Sequence, residues 1–118
     1  MTIGNAIASL AVKDLKAATA WYEKLLSRPA DSTPMAGVAE WKFARGGWLQ
    51  VYQLPERAGG GSCTLTVRGI DEVVSHLQSL GIDTSQQTLG AKVKTVMITD
   101  SDGNHLAVAE AIDRGMAH

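Results

Sequence analysis

Apolar side chains recur at helical spacing in two stretches of the chain and alternate with polar ones through most of the rest. In the first stretch Leu15, Ala18, Tyr22 and Leu25 share one face, while Lys16, Glu23 and Lys24 keep the other wet and Trp21 stands at the stripe's edge. This spacing predicts an amphipathic helix. Asp14 occupies the N-cap position, its carboxylate able to accept from the free amides of the first turn. The helix must end before Pro29 and Pro34, because proline cannot continue it. A second helix is predicted from about Ile70 to Leu80, with Asp71 and Glu72 in its first turn and Gly81 just past its end. Laid over each other with Val12 on Val67, the two stretches match row for row: Leu15 on Ile70, Ala18 on Val73, Tyr22 on Leu77 and Leu25 on Leu80. Such a repeat indicates one supersecondary unit used twice.

Between the helices the period drops to two, the signature of half-buried strands. Asn5–Val12 reads as a strand leading into the first helix, and a short edge strand can hide in the Arg28–Pro34 region. Val38–Ala44 sets Trp41 and Phe43 against Glu40 and Lys42, Arg45-Gly46-Gly47 makes a tight turn, and Trp48–Leu54 returns. On that returning strand Leu49 and Val51 face one way and Trp48, Gln50 and Tyr52 the other. Pro55 to Gly61 is rich in glycine and is expected to be a mobile joint. Ser62–Arg68 alternates again, Thr84–Lys92 is a weakly patterned strand, and Val93–Thr99 and Asn104–Glu110 are clear strands joined by an Asx-rich turn at Asp100–Gly103. The chain from Ile112 is expected to fray. Asp100, Asp102 and Asn104 sit at alternate positions like the opening of a calcium loop, but Ala111 stands where the twelfth-position glutamate is required. A plain hairpin is the better reading.

A chain of 118 residues fits one domain, divided into module one at about 1–54, a linker at 55–61 and module two at about 62–111. Eleven basic and twelve acidic residues leave a formal charge of −1 with no basic run, which argues against a nucleic-acid partner. No apolar run approaches the roughly 18 residues of a membrane span. The single cysteine, Cys63, cannot form an internal disulfide, and its place in a strand suggests a buried, inert thiol. A cytoplasmic location is the expectation.

The order strand, helix, three strands, stated twice, gives an α+β fold of two βαβββ modules. Each sheet can set Leu10, Val12, Leu49, Val51, Leu65, Val67, Leu106 and Val108 under a helix. The opposite faces carry Ser9, Trp48, Gln50, Tyr52, Ser62, Thr64, Thr66 and His105, poor core residues suited to a half-open, concave cavity for a small molecule. Leu10-Ala11-Val12-Lys13-Asp14-Leu15 with Trp21-Tyr22-Glu23-Lys24-Leu25-Leu26, and Thr99-Asp100-Ser101-Asp102-Gly103-Asn104-His105-Leu106, resemble the strand-to-helix opening and the penultimate hairpin of the vicinal oxygen chelate superfamily. That superfamily includes glyoxalase I, extradiol dioxygenases, and the fosfomycin- and bleomycin-resistance proteins.

The resemblance implies four metal-ligand positions, one on each of four strands. They fall here on Ile7, Gln50, Ser62 and Ala107, none of which is a good donor. It therefore implies a member without the metal and without another cofactor, binding a small molecule as the bleomycin-resistance proteins do, with a homodimer as the expected assembly. The candidate ligand-binding residues are Trp48, Gln50, Tyr52, Ser62, Thr64 and His105, with Trp41 if its register faces inward. A metal-free isomerase or lyase using His105 as acid/base, with Gln50 and Tyr52, is the alternative. Arg68 could meet an anionic group, and His76 and His118 are read as surface residues.

Overall fold

The computed structural model describes residues 1–111. The chain from Ile112, with its expected fraying, and His118 lie outside the described residues. The elements run β1 (Ile7–Val12), α1 (Leu15–Leu26), β2 (Val38–Lys42), β3 (Trp48–Gln53), β4 (Ser62–Thr66), α2 (Ile70–Ser79), β5 (Gln86–Leu89), β6 (Val93–Thr99) and β7 (His105–Ala111). One sheet has the order β1-β3-β2, the other β4-β7-β6-β5. In each, the strand before the helix pairs parallel with the last strand of its module, so the repeat read from the sequence is also a repeat of topology. The expected edge strand of module one is reduced to a single bridge between Ser32 and Glu40, leaving seven strands among the described residues.

Contacts divide the chain into two compact units. The first comprises residues 1–61 and the turn at 100–104; the second comprises 62–99 and the chain from 105. In the first unit Ala18, Tyr22 and Leu25 of α1 form its buried stripe, and Leu10, Val12, Ala39, Trp41, Leu49 and Val51 supply the sheet side of the core. Asp14 caps α1 as its position predicts, accepting from the Lys16 amide at 3.0 Å. The helix stops one residue before Arg28, at Ser27, whose left-handed backbone (φ 61°) turns the chain out. In the second unit Ile70 and Leu77 of α2 are buried, as are Val96, Ile98, Leu106 and Val108 of its sheet. Leu65, Val67 and Cys63 are only half-buried, because β4 is an edge strand, and β5 is exposed throughout. Helix α2 has no capping side chain of its own; the Glu110 carboxylate accepts from the Gly69 and Ile70 amides at 2.6 and 3.2 Å.

The glycine-rich stretch after β3 departs from the expected mobile joint. It opens with a 3-10 turn at Pro55–Arg57, and the Gly61 amide donates to the Asn104 side chain at 2.9 Å. Gly59 (φ 88°) lies so close to the 100–104 turn that a Cβ there would overlap the Asp102 carbonyl. The glycines thus serve close approach.

That turn is organised by two buried side chains. Asp100 accepts through Oδ1 from the Asp102 and Asn104 amides, both at 2.9 Å, and through Oδ2 from the Tyr22 hydroxyl and Asn104 Nδ2, both at 2.8 Å. Asn104, fully buried, also donates to the Ala11 carbonyl at 2.8 Å. Here the calcium-loop pattern resolves into an Asx turn whose carboxylate is already engaged by four donors.

Asn104→Ala leaves the Gly61 amide, the Ala11 carbonyl and part of Asp100 without partners, and should cost about 3 kcal/mol in urea unfolding, against about 1.5 kcal/mol for Tyr22→Phe. Separately, Asp31 accepts from the Lys42 amide and from Arg28, and these interactions hold its carboxyl below the usual carboxylate range. A lowered carboxyl pKa in the fold stabilises at neutral pH, and that contribution is lost as pH falls through the acidic carboxylate range. In Asp31→Asn the urea midpoint should therefore depend less steeply on pH on the acid side than in the parent chain.

Candidate functional site

The outward face of the first sheet is set by register. Ser9 lies opposite Gln50 and Ile7 opposite Trp48 across β1 and β3, while Glu40 lies opposite Gln50 and Lys42 opposite Trp48 across β2 and β3. Since paired residues share a face, Ser9, Gln50, Tyr52, Trp48, Glu40 and Lys42 form one polar-aromatic surface. Hydrogen bonds cross it: Ser9 Oγ donates to Gln50 Oε1 at 3.2 Å, and Gln50 Nε2 donates to Glu40 Oε2 at 2.9 Å. The Lys42 ammonium sits 5.8 Å from the Trp48 ring centre, within cation–π range.

At the β1 side of this face opens a cleft of about 430 Å³. Its floor is Ser9, Ala11 and Tyr52, and its rim is the 3-10 turn and the glycine stretch, with Glu56, Arg57, Ala58, Gly60 and Gly61. Glu56 and Arg57 are exposed charges at the mouth. A phenol ring, a hydroxyl and two opposite charges around an open cleft suit a flat molecule with a few polar groups.

Trp41 requires a correction. It pairs with Leu49, on the helix side, where it is 0% exposed; its ring lies 6.0 Å from that of Tyr22 and its Nε1 donates to the Arg28 carbonyl at 3.1 Å. It is a core residue and cannot reach a ligand on the outer face. Ser62, Thr64 and His105 share the outward face of the second sheet, through the pairs Ser62–His105 and Thr64–Ala107, with Ser62, Thr64 and His105 all exposed. Thr66 follows on the same face, Arg68 is exposed beyond β4, and His76 is half-buried on α2. The four positions that the resemblance assigns to metal ligands do occupy outward faces, Ile7 and Gln50 in the first unit and Ser62 and Ala107 in the second. Among the described residues no group of three or more His, Cys, Asp or Glu side chains is placed to hold a metal ion.

Sequence reasoning passed over Glu40, Glu56 and Arg57. Glu40 was legible as to its face: counting outward from the Arg45–Gly47 turn puts it on the side of Gln50 and Tyr52, and the observed pairing sets it opposite Gln50. The two rim charges carried no such signal, because nothing in a glycine-rich run announces that it folds back.

No family model matches the sequence, and no curated protein does. Solved structures do. A glyoxalase/bleomycin resistance protein from Catenulispora acidiphila is 34% identical with a TM-score of 0.81, over 90% of this chain and 96% of that one. An antibiotic binding protein from a Streptomyces species, TnmS3, has a TM-score of 0.81 at 18% identity, over 94% of this chain and 98% of its own. A bleomycin resistance determinant encoded on the transposon Tn5 has a TM-score of 0.73 at 18% identity, over 94% of this chain and all of its own. The last two share the fold; the first shares enough sequence across nearly its whole length to decide the matter. The chain belongs to the glyoxalase/bleomycin resistance protein family, within the vicinal oxygen chelate superfamily.

Proposed function

We propose that the protein binds a small, planar organic molecule of antibiotic-like character, without a resident metal ion, on the outward face built around Tyr52, Gln50 and Trp48. One observation carries the reading: Tyr52 and Ser9 line a cleft of about 430 Å³, a size suited to a small ligand. The family and the antibiotic-binding neighbour support a ligand of that class. Ser62, Thr64 and His105 offer a second, smaller polar surface for the same kind of contact. The acid/base alternative draws less support, since His105 is exposed on β7 and no carboxylate among the described residues is hydrogen-bonded to its imidazole. A cytoplasmic location belongs to the same proposal and rests on Cys63 being the one cysteine of the sequence, so that no internal disulfide can form.

Calorimetry against a panel of planar aromatic and glycopeptide compounds tests the reading. Binding should survive treatment with EDTA, and Tyr52→Ala should weaken it about tenfold through the lost stacking surface while leaving thermal unfolding within a few degrees. Affinity that vanishes with EDTA and returns with a divalent ion would overturn the metal-free part; a panel without a binder would overturn the whole.

We also propose a homodimer. Ile7, 51% exposed, lies on the outward face of β1, an edge strand of its sheet, and an exposed apolar side chain there favours burial by a second copy. Light scattering across a dilution series should give twice the chain mass, and Ile7→Lys should shift it toward one.

A further inference from the structure

Glu40 governs more than its own charge. A carboxylate carries lone pairs and no hydrogen to give, so the group that Gln50 turns toward it must be the amide NH₂. The amide oxygen of Gln50 then faces Ser9, and the only hydrogen-bonding role open to the Ser9 hydroxyl toward that oxygen is to donate. With its single proton committed, Ser9 offers the cleft nothing except lone pairs. One carboxylate on β2 thus sets the direction of hydrogen bonding across three strands and fixes the character of a residue in the cleft floor.

Glu40 is well held for this task. Its amide donates to the Ser32 carbonyl at 2.8 Å and its carbonyl accepts from the Asp31 and Ser32 amides at 2.8 and 3.3 Å, so the outer side of β2 is pinned as well as the inner. Glu40 is half-buried, and no ion pair among the described residues competes for its carboxylate.

Resting on the small-molecule reading above, we infer that Glu40, acting through Gln50 and Ser9, makes the cleft select ligands that donate a hydrogen bond at Ser9 over those that accept one. Glu40 is a positioning residue: it fixes polarity and need not touch the ligand. In Glu40→Gln the side chain can donate or accept, the Gln50 amide is free to turn over, and Ser9 regains the choice of giving its proton to the ligand.

The test uses two neutral, flat bicyclic probes, so that Arg57 and Glu56 at the rim do not decide the outcome by charge. Indole presents a ring N–H and quinoline a ring lone pair. Dissociation constants are read from chemical-shift titrations of ¹⁵N-labelled protein at pH 8, for the parent chain, Glu40→Gln and Ser9→Ala. The parent chain should bind indole about tenfold more tightly than quinoline, the ratio expected when one probe leaves a polar group unpaired. Glu40→Gln should bring the two within about threefold by strengthening quinoline, a change that loss of packing alone would not produce, and Ser9→Ala should narrow the ratio by weakening indole. Quinoline binding as tightly as indole to the parent chain, or a ratio untouched by Glu40→Gln, overturns the inference and leaves the cleft as a binding site. Failure of both probes to bind overturns the inference together with the small-molecule reading it rests on.

Discussion

The first unit depends on the bonds that gather at Asp100 and Asn104. Burying a carboxylate and an amide is costly unless their hydrogen-bonding capacity is met. Here the cost is offset by donors and acceptors drawn from α1 through Tyr22, from β1 through Ala11, from the glycine stretch through Gly61, and from the turn's own backbone. These partners are remote in sequence: Asn104 and Ala11 are 93 residues apart, Tyr22 and Asp100 78. The first unit is therefore discontinuous in sequence, and the rim of the candidate cleft is held by residues whose covalent neighbours are β6 and β7.

This arrangement explains what could be read from the sequence and what could not. The helices, their apolar stripes and the Asp14 cap are local features, set by spacing within a dozen residues, and the structure follows them closely. The repeat gave topology as well, since a module that recurs must pair its strands in the same order. The outward face of β3 also followed from alternation, whereas strand ends did not: β1 opens at Ile7 rather than Asn5, β2 closes at Lys42 rather than Ala44 and β4 at Thr66 rather than Arg68. Trp41 was ambiguous only because its register was left uncounted from the Arg45–Gly47 turn, and the pairing with Leu49 sends it into the core.

The stretch at 55–61 was beyond such reading. Glycine signals conformational freedom whether the chain uses that freedom to move or to approach another segment, and the contact that decides between them lies some forty residues downstream. The same limit hid Glu56 and Arg57. The two modules have also diverged in chemistry where they agree in shape. Trp48, Gln50 and Tyr52 lie opposite Ile7, Ser9 and Ala11 in the first sheet; His105, Ala107 and Ala109 lie opposite Ser62, Thr64 and Thr66 in the second. Large aromatic and amide groups thus decorate one copy, while methyls, hydroxyls and the single imidazole of His105 cover the other.

The cap on α2 bears on how the polypeptide is made. Because Gly69 and Ile70 rely on the carboxylate of Glu110, that helix begins with unmet amides until a residue 40 positions later has left the ribosome. During synthesis the cap of α1, Asp14, emerges beside the helix it serves, whereas the cap of α2 arrives only with the closing strand. Two helices with the same place in a repeated architecture thereby receive their caps at different times, one from a neighbour and one from a remote strand.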